Sequence, residues 1–525
     1  MTGTAEPEAR ARSTAHTPAI RTAEEIGRGL APARPARPIE RGERIHVIGA
    51  AGAGASAALL LAHYAGATVS GCDPGGSSPY TRAAEQLGIP LAWQHDAAHV
   101  ANEGKPLVDR VAVTKALTAV NPDHAELRAA REASIPLEAW HQVVADAAAT
   151  QRGRLVAVAG THGKSTTSGW LVQLLATAGR DPAAFVGALL PGEAVAGAPA
   201  TARWGRGDVF VVEADEYAGN FDPFHPSVAV LLNAEWDHPD VFAHEDAVLN
   251  AFERWIRAAS EGGRRTTLVA NTGNAGVARL VAQLAGDWGG DTVTYQVVPK
   301  GVGVPADDVD VAGSIDRDES RLLVEFRRGR RRILPARLAL PGRHNAENAV
   351  AVAAAAAVLG VRDGVIIQGL EGFRGVGRRF ELKGEPAGVA VLDDYGHHPS
   401  AIGATLTAAR ERYPGRRLWA VYEPLTFHRT AAMLDAFADV LASADRVAIA
   451  DIWAGRDPDT TVVSAADLAN AVNSRNGARA KAPGSVESTA DYLAGQVKRG
   501  DVVLVMGGGA SYRIADRLLE RLEAR

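Results

Sequence analysis

The chain has 525 residues, of which 46% are hydrophobic and 22% are charged, as is typical of a soluble globular protein with sizeable cores. Its length predicts several domains, and we expect three. The formal net charge of −5 gives no reason to expect nucleic acid or an anionic membrane as a partner. We find no run of about 18 apolar residues that would predict a membrane span. The single cysteine, Cys72, excludes an internal disulfide and is consistent with a cytoplasmic protein.

The first forty residues are rich in Ala, Arg, Pro and Thr and lack the apolar segment of a secretory signal. We interpret residues 1–40 as a flexible tail, with a short helix near residues 23–30.

A strand, a glycine turn and a helix are predicted over residues 43–58. The turn contains Gly49, Gly52 and Gly54, and such a turn lets the backbone approach a diphosphate closely. The next strand ends at Asp73, roughly where a dinucleotide-binding fold places its ribose-binding carboxylate. Tight packing alone would explain the glycines about equally well. Helices and strands alternate up to residue 153 and predict a first α/β domain.

The second strand–turn–helix unit is more informative. Five apolar residues at 155–159 precede the turn Gly160-Thr161-His162-Gly163, and apolar residues at helical spacing follow it. Backbone N–H groups and the positive end of the helix would face an anion. Lys164 would reach the outer phosphates, and the Ser165 hydroxyl would bind Mg²⁺. The usual pattern has four residues between its glycines, whereas this turn has two. The alternative is a glycine turn that only caps a helix.

Polar residues end two further apolar strands. Glu213 follows the run at 209–212, and His238 follows the run at 227–233. The carboxyl ends of parallel strands lie at one edge of a sheet, so both side chains could meet a metal held by Ser165. Oxygen ligands, in the absence of a thiolate cluster, indicate Mg²⁺. The alternative is that these side chains are solvated or cap helices.

Residues 301–337 alternate polar and apolar types with many charges, which predicts a peripheral antiparallel β piece. The run RRGRRR at 327–332 is interpreted as a solvated hairpin rather than a nucleic-acid site.

His344 and Asn345 precede an Ala- and Val-rich helix that is predicted to reach residue 359. Asn345 could cap that helix or hydrogen-bond a purine edge. A later strand at 389–392 ends in Asp393-Asp394-Tyr395-Gly396-His397-His398-Pro399. Two carboxylates, a phenol and two imidazoles at one strand end favour a functional site over simple packing.

We therefore predict an α/β fold with three domains. Residues 41–153 would form a Rossmann-like N-terminal domain. Residues 154–361 would form a central domain similar to P-loop ATPases, with a mostly parallel sheet and a small peripheral β piece. Residues 362–525 would form a C-terminal Rossmann-like α/β domain.

Six stretches carry a family resemblance: GTHGKSTT, EADE, DH, GRHNAENA, GVGRRF and DDYGHHP. In this order they resemble the motifs of the Mur ligase family, and the likeness runs from about residue 44 to the C-terminus. It implies a first domain for a UDP-sugar, a central domain for ATP, and a third domain that closes over both with the amino acid. Within the family, the chain is most similar to the members that add L-alanine, because of VSGCD at 69–73, the THGK turn and DDYGHHP.

The resemblance implies an ATP-dependent ligase of peptidoglycan precursor synthesis. Such enzymes phosphorylate the lactyl carboxylate of UDP-N-acetylmuramate to an acyl phosphate. The amine of L-alanine then attacks, and a tetrahedral intermediate expels phosphate. ATP and Mg²⁺ are the implied cofactors and small molecules the implied partners, with no nucleic acid or membrane, in a monomer or weak dimer.

The family's roles are carried over by motif. Those for catalysis fall on Lys164, His238, Arg379 and His397. Those for ATP fall on Gly160, Thr161, His162, Gly163, Lys164, Ser165, Thr166, His344, Asn345, Arg379 and Asp394. Those for the UDP-sugar and the amino acid fall on Gly49, Gly52, Gly54, Asp73, Tyr395, His397 and Arg429. Those for Mg²⁺ fall on Ser165, Glu213 and His238. The incoming amine must lose a proton, and a histidine titrates in the useful range.

Two alternatives stay open, and the first concerns the amine that the enzyme adds. Leu425-Thr426 stand where the family usually has a His-Arg pair that helps to hold the amino acid. Moreover, Glu216-Tyr217 and residues 238–242 are more similar to the muropeptide ligase, which attaches a recycled tripeptide to the same UDP-sugar. The other alternative is a catalytically silent protein that only binds nucleotide. The presence of Lys164, Ser165, Glu213 and His238 argues against it, because binding alone would not need the metal pair.

Overall fold

The computed structural model describes residues 20–195, 197–301, 309–316, 320–328, 331–455, 457, 459–477 and 479–525. These residues form an α/β fold built on three main sheets, which confirms the predicted fold class. Residues 1–19 of the predicted tail lie outside the described residues. So do residues 302–308, 317–319 and 329–330 of the predicted peripheral β piece.

The first domain is built on a five-stranded parallel sheet. Its strands lie in the order Leu91–Ala92, Thr68–Cys72, Arg44–Ile48, Arg110–Val113 and Leu137–Ala139. Its helices are Ala53–Tyr64, Arg82–Gln86, Lys115–Val120, Ala125–Glu132 and Trp140–Gln151. The short strands Ala101–Asn102 and Lys105–Pro106 pair antiparallel beside it. The central strands are buried on both faces, as is usual for a parallel sheet covered by helices.

Residues 20–40 lie against the first domain rather than forming a flexible tail. Arg34 pairs with Glu138 at 2.7 Å and with Asp146 at 2.8 Å, and Ile39 is buried. A buried carboxylate such as Asp146 requires a cationic partner, and Arg34 supplies one from this segment. The helix within it is shorter than expected and spans Ala23–Ile26.

The central domain contains a ten-stranded sheet. Its strands lie in the order Ala200–Arg203, Ala183–Leu190, Val209–Ala214, Arg154–Ala159, Val228–Leu231, Thr267–Asn271, Asp291–Pro299, Val311–Asp316, Arg321–Phe326 and Arg332–Arg337. Its helices are Lys164–Thr177, Gly192–Val195, Glu245–Ala259, Ala275–Leu284 and Arg343–Val358. Pairing is parallel except at the two edges. The predicted antiparallel piece is therefore present, and it continues the main sheet rather than forming a separate one.

One helix belongs to a different domain from the one predicted. Asp363–Gly372 was expected in the third domain but packs on helix Lys164–Thr177. The indole Nε1 of Trp170 donates to the Gly369 carbonyl at 3.0 Å, and a Cβ on Gly369 would lie 2.5 Å from Leu174 Cγ. The packing thus moves the boundary from residue 361 to about residue 376. Periodicity predicts a helix but does not say which sheet it covers.

The third domain contains a six-stranded sheet. Its strands lie in the order Glu381–Gly384, Ala390–Asp394, Val502–Gly507, Leu418–Glu423, Arg446–Ala450 and Ala480–Gly484. Only the first pair is antiparallel. Its helices are Pro399–Arg412, Phe427–Ala432, Leu434–Leu441, Ala465–Asn476, Val486–Gln496 and Tyr512–Glu523.

The three domains are in direct contact. The Tyr64 ring of the first domain stacks near Trp204 of the central domain, with ring centroids 6.3 Å apart. Arg378 of the third domain donates to the Tyr80 hydroxyl of the first at 3.3 Å. None of the helices in the described part of the chain is long and apolar enough to cross a membrane.

Candidate active site

The central glycine turn links strand Arg154–Ala159 to helix Lys164–Thr177, as the sequence predicted. Gly163 begins the helix at a φ of 83°, a conformation that favours glycine. A Cβ at this position would also lie 2.8 Å from Asn348 Oδ1. The turn therefore requires glycine on two counts, its backbone conformation and the side chain beside it.

A side chain from the neighbouring strand end fixes the turn. The His162 N–H donates to Asn233 Oδ1 at 2.9 Å, and Asn233 Nδ2 donates to the His162 carbonyl at 3.0 Å. These two bonds hold the turn at the start of a helix, where backbone N–H groups and the helix dipole attract an anion.

Lys164 lies among carboxylates. Its Nζ donates to the Gly160 carbonyl at 2.7 Å and to Glu216 Oε2 at 3.1 Å, and lies 3.5 Å from Asp215 Oδ1. Burial alone would lower the pKa of the ammonium group, but the charges of Glu216, Asp215 and Glu213 outweigh it and raise the pKa above its ordinary value. Lys164 is therefore a fixed positive charge at the turn.

Ser165, Glu213 and Arg379 meet beside Lys164. The Ser165 hydroxyl donates to Glu213 Oε1 at 3.1 Å and accepts from Arg379 Nη2 at 2.8 Å. The Gly187 N–H donates to Glu213 Oε2 at 2.6 Å and fixes the carboxylate. The guanidinium lies 4.8 Å above the Tyr395 ring centroid. An arginine of the third domain thus reaches the helix start of the central domain, and its contact with the γ-phosphate of ATP stays a prediction.

His238 lies beside Glu216, with its Nε2 3.7 Å from Glu216 Oε1. Ligand atoms of Asp215, Glu216 and His238 lie within 4.8 Å of one another. Burial raises the pKa of Glu216 to about 7, and its Oε1 is buried without a hydrogen-bond partner. The oxygens of Ser165 and Glu213 fit Mg²⁺, and this second group offers a further metal position. The pairing of Glu213 with His238 on one metal stays a prediction.

Arg429, from the third domain, lines a cavity that Lys164 and His238 also line. Its Nη2 donates to Asp237 Oδ1 at 2.5 Å and lies 3.1 Å from His238 Nδ1. Burial would raise the pKa of Asp237, but Arg429 and nearby histidines hold it well below its ordinary value. Arg429 Nη1 is buried without a hydrogen-bond partner. One half of the guanidinium is therefore available to a carboxylate of a ligand.

His397 differs from the expectation that it titrates near neutral pH. Its Nδ1 lies 3.1 Å from the Tyr395 carbonyl, to which it can donate. Burial, together with the charge of Arg429, holds the pKa of His397 well below its ordinary value. The ring is neutral at physiological pH and is a weaker base than the sequence suggested.

Seven of the eleven residues predicted for ATP line a smaller cavity of 110 Å³ beside the turn, whereas Thr161, Lys164 and Ser165 line a neighbouring cavity. Asn345 Nδ2 donates to the Pro341 carbonyl at 2.6 Å. Asp394 accepts the N–H groups of Phe380 at 2.8 Å and Gly396 at 2.7 Å. Burial lowers the pKa of His344 to about 4, so its imidazole is neutral. The other lining residues on the predicted list are His162, Gly163, Thr166 and Arg379.

The first-domain turn faces the larger cavity, of 370 Å³, to which the central turn also contributes. Gly49, Gly52 and Gly54 line it. Asp73 does not; its carboxylate accepts the N–H groups of Ala51 at 3.1 Å and Gly75 at 2.8 Å. The predicted contact of Asp73 with a ribose stays a prediction, and its observed contacts support the turn.

Several lining residues were absent from the predicted set: Lys115, Trp140, His141, Asp215 and Asn220. Lys115 Nζ donates to the Ala218 carbonyl at 2.6 Å, and burial lowers its pKa. It follows strand Arg110–Val113 by two residues, so its place at a strand's carboxyl end was a usable signal. Trp140 and His141 directly follow strand Leu137–Ala139, but this three-residue strand was not predicted from the sequence, so their position at a strand end was missed.

Three family models match consecutive parts of the chain. They are described as "Mur ligase family, catalytic domain" over residues 44–152, "Mur ligase middle domain" over 158–356, and "Mur ligase, glutamate ligase domain" over 378–509. The chain belongs to the Mur ligase family. The third match begins close to the boundary that the packing of helix Asp363–Gly372 places near residue 376.

Individual relatives extend over nearly the whole Mur ligase chain. A UDP-N-acetylmuramate–L-alanine ligase of Frankia casuarinae is 36% identical, with 92% of this chain and 98% of that protein aligned. The structure of the UDP-N-acetylmuramate-alanine ligase of Thermotoga maritima superposes with a TM-score of 0.73 at 24% identity, over 92% of this chain and 99% of that one. A murein peptide ligase of Psychrobacter arcticus superposes with a TM-score of 0.71 at 25% identity, over the same shares, 92% and 99%.

Proposed function

We propose that this Mur ligase uses ATP to join the lactyl carboxylate of UDP-N-acetylmuramate to the amine of L-alanine. The observation that carries the proposal is one cavity of 370 Å³ that both glycine turns, Lys164 and Arg429 line. The chain is 36% identical to a UDP-N-acetylmuramate–L-alanine ligase over nearly all of both chains, which supports the choice of substrates.

In the first step, an oxygen of the lactyl carboxylate attacks the γ-phosphorus of ATP and ADP leaves, which gives an acyl phosphate. Two anions must approach each other, so positive charge at the site lowers the barrier. Lys164 supplies a fixed positive charge beside the turn, and Arg379 supplies another at the start of the same helix. Mg²⁺ held by Ser165 and Glu213 would offset further charge on the phosphate oxygens.

In the second step, the neutral amine attacks the carbonyl carbon, and the tetrahedral intermediate expels phosphate as the amide forms. Arg429 would hold the carboxylate of the incoming amino acid through its unpartnered Nη1. His397 lines the cavity, and its neutral ring can accept a hydrogen bond from the amine. Because the pKa of His397 is held well below its ordinary value, the proton that the amine releases passes to the departing phosphate. The ring of Tyr395 would lie beside the amino acid.

ATP would extend from the central turn into the cavity of 110 Å³. There His344 and Asn345 would contact ATP, Asn345 at the adenine, and Asp394 would lie on the ribose side. Glu216 and His238, close to each other at 3.7 Å, would hold a second metal ion with either Glu213 or Asp215. We also place the enzyme in the cytoplasm, which the free thiol of Cys72 fits, as a monomer or weak dimer.

A recycled tripeptide is a specific alternative to L-alanine as the amine substrate. Leu425 lines the amine side of the cavity, where the resemblance leads one to expect a histidine. A recycled tripeptide would occupy more of this side than alanine.

The test is a coupled phosphate-release assay with UDP-N-acetylmuramate, ATP and Mg²⁺, to which one amine is added at a time. L-Alanine, glycine, L-serine and an L-Ala-γ-D-Glu-diamino acid tripeptide are compared by kcat/KM. We expect L-alanine to give the highest value. Turnover with the tripeptide alone would replace the proposed substrate. Binding of UDP-N-acetylmuramate and ATP with no turnover for any amine would indicate a catalytically silent protein.

A further inference from the structure

A second group of ionisable side chains lies inside the first domain, outside the two cavities described above. Its members share a common centre, the carboxylate of Glu126. We call this group the histidine cluster, and it consists of His46, Cys72, His95, His99, His124 and Glu126.

Separate elements bring these residues together. His46 lies on strand Arg44–Ile48, Cys72 ends strand Thr68–Cys72, and Glu126 lies in the first turn of helix Ala125–Glu132. All three are buried, with Cys72 and Glu126 completely inaccessible. His95 and His124 lie in loops and His99 ends the short 3₁₀ helix Ala97–His99, and all three are partly exposed.

The distances are those of a compact ligand set. His46 Nε2 lies 3.4 Å from Cys72 Sγ and 3.7 Å from Glu126 Oε1. Cys72 Sγ lies 3.2 Å from Glu126 Oε1, and His99 Nδ1 lies 2.7 Å from the same oxygen. In a tetrahedral zinc site with bonds of 2.0–2.3 Å, neighbouring ligand atoms are about 3.3–3.7 Å apart. Small rotations of these side chains therefore suffice to enclose an ion.

A hydrogen-bonded core is the competing explanation, and it accounts poorly for the composition. The other buried carboxylates described in the first domain, Glu43, Glu138 and Asp146, all pair with Arg110. The side chains that surround Glu126 are imidazoles and a thiol. His124 Nδ1 is moreover buried without a hydrogen-bond partner. Imidazole, thiolate and carboxylate are the donors that zinc prefers.

We propose that His46, Cys72, His99 and Glu126 bind one transition-metal ion of the Zn²⁺ class. The Cys72 thiol proton is released to solvent as the sulfur binds the ion, so binding is accompanied by proton release. His95 Nδ1, which lies 3.0 Å from Glu126 Oε2, positions the carboxylate from outside the ligand set.

The position of the site gives it a structural role. The Cys72 carbonyl accepts the N–H groups of Gly49 at 2.9 Å and Ala50 at 3.1 Å. An ion held by Cys72 and His46 would therefore join the neighbouring strands Thr68–Cys72 and Arg44–Ile48 next to the first glycine turn. It would brace that turn whether or not a UDP-sugar is the ligand above it.

The test uses the untagged full-length protein, stripped with a chelator and titrated with Co²⁺ under reducing conditions. A thiolate bound to Co²⁺ gives a charge-transfer absorption in the near ultraviolet. Cys72 is the single cysteine of the chain, so this signal reports on the histidine cluster alone, even where Co²⁺ also binds in the catalytic cavity. We expect the absorption to saturate at one Co²⁺ per chain and Zn²⁺ to abolish it by displacement.

Variants make the assignment specific. Cys72→Ser should eliminate the charge-transfer absorption, and His99→Ala should weaken Co²⁺ binding at least tenfold. His63→Ala, in the same domain on helix Ala53–Tyr64, should bind Co²⁺ as the parent does. His99 is partly exposed, so its variant tests the site if Cys72→Ser does not fold. Absence of the absorption in the folded parent protein would overturn the proposal, as would unchanged affinity in His99→Ala.

Discussion

The two glycine turns share one backbone plan but have different surroundings. Each follows a buried parallel strand and begins a helix. The helix after the central turn starts with Lys164, and Glu213, Glu216 and Arg379 lie around it. The helix after the first turn, Ala53–Tyr64, has no charged side chain in its first turn. The central turn can therefore stabilise charge that develops in a reaction, whereas the first can only bind and position.

This difference comes from elements remote in sequence. Two of the charges at the central turn come from outside its own strand and helix: Glu213 from strand Val209–Ala214 and Arg379 from the third domain. The first turn is instead supported by Asp73 and by the ring of Trp140. A glycine turn thus provides backbone N–H groups, and its surroundings decide whether it takes part in chemistry. Substitutions at the two turns should therefore impair different properties of the protein, charge stabilisation at the central turn and ligand positioning at the first.

The largest effect is expected for Lys164→Ala. Removing one preorganised positive charge from a site of charge development costs about 10²–10³-fold in kcat. Because Lys164 lies at the central turn, the affinity for UDP-N-acetylmuramate should be nearly unchanged. Phosphate release and calorimetric binding of the UDP-sugar measure the two quantities. Lys105→Ala, which removes an exposed lysine of the first domain, is the control. Equal losses of turnover and sugar binding would contradict the separation of roles between the turns.

A smaller and more selective effect is expected for Arg429→Lys. A lysine cannot keep the 2.5 Å contact with Asp237 and bind a second carboxylate in the planar geometry of a guanidinium. We expect KM for the amino acid to rise about tenfold or more, with KM for ATP unchanged. Arg410→Lys, at an exposed pair with Asp445, is the matched control. A rise in KM for ATP of the same size would show that Arg429 acts on the domain contact instead.

Features that local sequence patterns determine were predicted well. The strand, turn and helix around Gly163 and the charged group of Lys164 and Glu213 follow from chain order and from the rule for strand ends. Features that depend on packing between helices and strands were not predicted. The predicted boundary at residue 361 put helix Asp363–Gly372 in the third domain, residues 1–40 were interpreted as a flexible tail, and the histidine cluster was not predicted. Its ligands are far apart in sequence, so no spacing could have revealed them.

The smallest effect is expected for Gly54→Ala, and it tests the first turn alone. A Cβ at Gly54 would lie 2.1 Å from Trp140 Cζ2, whereas a Cβ at Gly52 would have 3.4 Å to its nearest neighbour, the Gly49 carbonyl oxygen. Overpacking of this kind costs about 1–3 kcal/mol. Urea unfolding should therefore show a loss for Gly54→Ala and little change for Gly52→Ala. Adding Trp140→Leu should reduce the further loss that Gly54→Ala causes, since the overlapping ring is gone. If Gly54→Ala is equally destabilising with and without Trp140, the glycine is required for the turn's backbone and not for the close approach of the ring.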